Sequence, residues 1–205
     1  MKLPVRQFKS MEVALKELAP FVRDPRHLQS GKPFKNFGGM LPREAWANWL
    51  VCVAVSSTSD MDLTFTTTID PVGGDGNIVD KKTGEVFPTE HVMVSQHGAE
   101  GKDSQTLILD AIARKQAKGG LAYASGKTLV VFTDSDTGEW FPKRVVKALP
   151  TPLDFDAVWV VGFQSVKEGS YIYGVTLLDV SQGIAPICIV RIAEDFGSWE
   201  VTQIQ

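Results

Sequence analysis

GDGNIVDKKTGEVFPTEHVMV, residues 74–94, reads as an acidic β-hairpin. Asn77 to Asp80 carries the β-branched pair Ile78 and Val79, and Lys81-Lys82-Thr83-Gly84 is a polar turn whose glycine supplies the positive φ such loops need. From Val86 the chain is expected to run extended to Val94, with Pro88 marking an edge or a bulge because proline cannot donate to a ladder. Side chains alternate along a strand, so Glu90 shares one face with Val92 and Val94, and His91 shares the other with Met93. A carboxylate flanked by two valines on one face needs a partner, and a cation is one. Asp75, at the start of the hairpin, is the second carboxylate within reach. Asp80 stays open as an alternative to it, since a bulge near Pro88 shifts the register.

Outward from this stretch the chain alternates helices and strands. A short amphipathic helix is expected over Ser10 to Ala19, ended by Pro20, followed by an irregular basic segment from Arg23 to Gly39. A stronger helix begins at Leu41, with Pro42 in its first turn and Glu44 where the helix dipole favours an anion. Its apolar stripe is Trp46, Trp49, Leu50 and Val53. A threonine-rich strand, Asp62 to Ile69, leads into the hairpin. After a loop containing an exposed His97, Asp103 or Ser104 caps a helix that runs to Lys118 and stops at Gly119-Gly120. Lys115 falls on the same stripe as Leu107, Ile108, Ala111 and Ile112, so it must snorkel to water or meet a carboxylate.

Gly126-Lys127-Thr128 is not a phosphate-binding loop. The position five residues before the Gly-Lys pair is Leu121, and the chain continues as a buried strand, Leu129 to Phe132, rather than a helix. A short basic helix over Pro142 to Leu149 and a second apolar strand over Phe155 to Phe163 predict parallel pairing through a helical crossover. Three further strands, Tyr171 to Val180, Pro186 to Ile192 and Trp199 to Ile204, predict an antiparallel extension.

With 205 residues, 43% of them hydrophobic, one domain is expected, made of an N-terminal extension (1–40), a core (41–163) and C-terminal strands (164–205). No apolar run approaches membrane-spanning length and Met1 to Ser10 is polar and basic, which predicts a cytoplasmic chain. Cys52 and Cys188 lie far apart in apolar segments and read as buried free thiols. The net charge of −3 is unevenly spread: residues 55–110 carry three basic and ten acidic side chains, whereas 111–150 carry seven basic and three acidic. That pattern suits a metal site beside a phosphate-binding surface, and equally a chance segregation of charge.

Helix, three strands with a central hairpin, helix, strand is the order in which the chain resembles the core of the PD-(D/E)xK, or restriction-endonuclease-like, nucleases. The resemblance implies an α/β fold with a mixed central sheet flanked by helices, here with the antiparallel C-terminal extension. It implies that Asp75 and Glu90 are the two metal-binding carboxylates, with the main-chain carbonyl of His91 as third protein ligand and Glu44 on the first helix. The family's lysine, two residues after the second carboxylate, is Val92 in this chain. In some members the cationic group comes from the neighbouring helix, a post that Lys115 suits. The implied activity is Mg²⁺- or Mn²⁺-dependent phosphodiester hydrolysis of nucleic acid, with Lys118, Lys143, Arg144 and Lys147 toward its backbone. The alternatives are a nuclease-like module without catalysis, a structural protein in which Glu90 and Lys115 form a buried ion pair, and a different hydrolase using His91 or His97.

Overall fold

The structure, a computed structural model, describes residues 8–24, 26–33, 35–66, 75–97, 99 and 101–205, with Ser30 by its backbone alone. The hairpin is present with the expected limits: β2 (Gly76–Asp80) and β3 (Val86–Val94) pair antiparallel, and Gly84 closes the turn at φ 71°. β1 (Leu63–Thr66) pairs antiparallel with β2, while the expected continuation of this strand through residues 67–69 lies outside the described residues. Pro88 stands opposite Asn77, one residue before β3 meets its next neighbour at Thr89↔Thr128. At the proline β3 is therefore still one-sided, which is the edge character that proline requires.

Among the described residues, eight strands form one sheet in strictly sequential order. β4 (Thr128–Thr133) runs parallel to β3, and β5 (Ala157–Lys167) runs parallel to β4. β6 (Ser170–Leu177), β7 (Ile187–Ile192) and β8 (Trp199–Gln203) add antiparallel, giving a mixed sheet. The two parallel connections are helical, as parallel pairing demands. The first contains α4 (Ser104–Ala117) and α5 (Gly120–Ala124), and the second contains α6 (Pro142–Ala148). Leu107, Ile108, Ala111 and Ile112 of α4 pack with Val145 and Val146 of α6 over Leu129, Val131, Val158 and Val160 of the strands.

The opposite face is covered by α1 (Met11–Arg23) and α3 (Pro42–Thr58). Trp46 and Trp49, stacked at 5.1 Å, are fully buried on α3. The helix is buried all round rather than along one stripe, because it touches β1, β2 and every strand from β4 to β8. The sheet curls around it. Cys52 and Cys188 are buried free thiols as expected, and the Cys52 thiol is pushed far up by burial.

Three local expectations change. α1 does not stop at Pro20 but continues to Arg23, because Leu18 and Val22 on its inner face remain in the core on either side of the proline. The segment expected to be irregular contains α2 (Arg26–Ser30) and a single 3-10 turn, Lys35–Phe37, which buries Phe37. α5 is an addition: a second short helix starts at the Gly119-Gly120 break that is expected only to stop α4.

Candidate active site

Glu90 points to the α4 face of the sheet with Val92 and Val94, as alternation requires, and its side chain is 2% exposed. Both of its oxygens are occupied. Lys115, one turn beyond Ala111 on the buried stripe of α4, donates from Nζ to Glu90 Oε2 at 3.1 Å. Lys127 donates from Nζ to Oε1 at 3.0 Å. The parallel register sets Glu90 beside Leu129, and Lys127, two residues earlier on the same face, lies diagonal to it. The Tyr123 hydroxyl, from α5, also donates to Oε2. Its ring has the Lys127 and Lys118 ammonium groups 4.5 and 4.9 Å from its centroid. Burial works to raise the Glu90 pKa, but the hydrogen bonds from Tyr123, Lys127 and Lys115 outweigh it and hold the carboxyl below its ordinary value. Burial, and then the contact with Glu90, push the Tyr123 phenol far up.

Asp75 is stitched to β3 at two points. Its backbone N–H donates to the Thr89 carbonyl at 2.9 Å, and its Oδ2 accepts from the His91 N–H at 2.8 Å. That carboxylate oxygen lies 3.7 Å from Lys115 Nζ, so one ammonium stands at ion-pair distance from Asp75 and Glu90 together. Asp75, Glu90 and Lys115 are thus brought together as the sequence suggested. Glu44 lies close enough to feel the charges of Asp75 and Lys115, but its Oε2 accepts the Leu41 N–H at 2.9 Å and caps the start of α3. Burial, and then the Asp75 charge, raise its pKa.

Asp80 is not part of this cluster. At the far end of β2, it accepts from the Asp62 and Lys82 N–H groups and from the Thr83 hydroxyl, which makes it a turn-capping residue. The His91 imidazole faces α3, on the side of the sheet away from Glu90, with Nε2 3.3 Å from Thr89 Oγ1. Burial, reinforced by the charges of Lys115 and Arg43, pushes it down to about 3, so it is neutral at physiological pH. His97 is exposed in the loop after β3. These two histidines meet neither each other nor Glu90 in the contacts described, and a histidine-based hydrolase has no support from them.

Lys127 and Tyr123 are the members that sequence reasoning missed. Gly126-Lys127-Thr128 draws attention as a phosphate-loop look-alike, but Lys127 is in phase with Leu129 and Val131 on a buried strand face, the same signal that singles out Lys115. Tyr123 had no such signal, because its contact depends on how α5 folds back after Gly120, where φ is 54°.

Among the described residues, no group of three or more His, Cys, Asp or Glu side chains could hold a metal. The charge pattern is two carboxylates and two ammonium groups, with Lys115 at ion-pair distance from both carboxylates and Lys127 on Glu90. A divalent ion with oxygen ligands and several retained waters fits that donor pair in kind, provided that the Lys115 ammonium gives way. Comparisons with protein-family models, curated proteins and solved structures find no match for this chain.

Proposed function

We propose that the protein is a divergent nuclease-like hydrolase of the PD-(D/E)xK type, acting on phosphodiester bonds of nucleic acid with Mg²⁺ or Mn²⁺. The observation that carries this reading is the reach of Lys115 from α4 to both Asp75 and Glu90, at 3.7 and 3.1 Å. It supplies from the neighbouring helix the cation that Val92 cannot. The order α3, β1, β2, β3, α4, β4, with β4 parallel to β3, agrees with the same core.

Asp75 and Glu90 would hold the ion, with the His91 carbonyl as a third ligand. Bound there, such an ion lowers the pKa of a coordinated water and polarises the phosphate. The chain's own part is electrostatic. Lys115 and Lys127 set positive charge where negative charge develops on the phosphate, and the low exposure of their side chains, 17% and 13%, makes that charge more effective than in open water. Lys143, Arg144 and Lys147 are exposed on α6, which packs beside α4, and offer contacts to a phosphate backbone.

Incubating purified protein with plasmid, single-stranded DNA and RNA in Mn²⁺ or Mg²⁺ tests the proposal. Cleavage that EDTA and Glu90→Ala both abolish is the expected result. Cleavage unchanged in Glu90→Ala sinks it.

A second reading, a nuclease-like fold kept for binding or regulation, is favoured by the saturation of Glu90: Lys127 holds Oε1 while Lys115 and Tyr123 hold Oε2. On that reading nucleic acid binds without cleavage, and EDTA leaves both the binding and the melting temperature unchanged.

A further inference from the structure

We infer that Lys115 is a built-in competitor for the divalent ion, so that the metal enters by exchange with its ammonium, and that Lys127 is the cation that stays beside Glu90. This rests on the reading that Asp75 and Glu90 take a divalent ion.

The two lysines are not equivalent. Lys127 Nζ contacts Glu90 through Oε1. Lys115 Nζ touches Glu90 through the other oxygen and also Asp75, so it stands where any ion shared by the two carboxylates must stand. Two cations cannot share that volume, since a divalent ion and an ammonium a few ångströms apart in a half-buried site repel strongly. Metal binding and the Lys115 contact are therefore mutually exclusive.

Lys115 also has somewhere to go. It sits in the last turn of α4, where the helix dipole favours a cation, and its side chain keeps 17% exposure, so on leaving the carboxylates it would stay beside the site and turn to the phosphate, the part proposed for it above. Lys127, by contrast, also has the face of the Tyr123 ring 4.5 Å from its ammonium, and among the described residues its ion pair is with Glu90 Oε1 rather than with Asp75. The outcome is a site that is charge-balanced without metal and opens to it only when the ion can displace an ammonium. It stays closed at low divalent concentration.

The test is a calorimetric titration of the full chain with Mn²⁺, using wild type, Lys115→Met, Lys115→Arg, Lys127→Met and Asp75→Asn. Lys115→Met is expected to bind Mn²⁺ at least tenfold more tightly than wild type, because the competitor is gone. Lys115→Arg, which keeps the charge, should bind no more tightly than wild type, and Lys127→Met should gain less than Lys115→Met. Asp75→Asn should lose the ion. Binding that Lys115→Met weakens or leaves unchanged, or that Lys127→Met strengthens as much, overturns the exchange while leaving the metal site standing. Binding by no variant at all overturns the metal site itself. Melting in EDTA checks that each variant is folded, and Lys115→Gln stands in if the methionine variant is not.

Discussion

At the residue scale the site turns on a backbone contact. The His91 N–H, not its ring, holds Asp75 at 2.8 Å, so Asp75 is oriented by the strand that carries Glu90. The ring is instead a buried neutral group, and this has a measurable consequence for stability. Its folded pKa, about 3, lies below the ordinary value of 6.5. As pH falls below that ordinary value the unfolded chain takes up a proton that the folded chain refuses. The contribution is intact above pH 6.5, is lost progressively on acidification, and levels off near pH 3. Between those limits urea unfolding of the wild type should steepen with pH by up to about 1.4 kcal/mol per unit relative to His91→Gln. Equal slopes for the two proteins would show that the imidazole titrates normally. Glu90 contributes in the same direction, since its carboxyl is held below the ordinary value and its stabilisation is lost as pH falls through that lowered pKa.

At the scale of the element, the hairpin was the most legible part of the chain. Alternation along β3 put Glu90 on the face of Val92 and Val94, and the turn glycine has the positive φ that its position demands. Gly84 faces open space, so Gly84→Ala meets no clash and should cost only the left-handed backbone strain, about 1–2 kcal/mol by chemical denaturation. Gly76 is a different case. A Cβ there would lie 2.9 Å from Asn48 Nδ2 and Met40 Sδ and 3.2 Å from Thr89 Oγ1, so the glycine lets the hairpin lie against the start of α3. Gly76→Ala should push the two apart, lowering stability by about 1–3 kcal/mol. Because Gly76 follows Asp75, the same variant should weaken Mn²⁺ binding on the reading above, whereas Gly84→Ala should leave it unchanged. α5 was illegible by comparison: five residues between two glycine-rich breaks carry too little periodicity to announce a helix.

For the molecule as a whole, α3 is the axis. The sheet curls so that β1 and β8 both reach it, and Trp49 meets Trp199 of the last strand edge to face at 5.2 Å. The Trp49 Nε1–H donates to the Met11 carbonyl of α1 at 2.9 Å, joining the first helix to the same centre. Trp49→Ala should therefore cost about 3–5 kcal/mol, and the loss should appear as one cooperative transition if the N- and C-terminal parts of the sheet share this core. Two transitions would show that they unfold separately.

The amino-acid sequence by itself determined the longer helices and the strands, the hairpin and its turn, the core-facing stripe of α4, and the presence of a carboxylate and a lysine on faces where neither is at ease alone. These are local properties, written in periods of two and 3.6 residues and in the few residues that tolerate a turn. Tertiary structure alone decided that Lys127 and Tyr123 join Lys115 on the same carboxylate. That meeting depends on the parallel register of Glu90 beside Leu129, on the packing of α4 over β3, and on the path of the chain after Gly120. None of these is a local property, because each is chosen by the burial of side chains far apart in the chain.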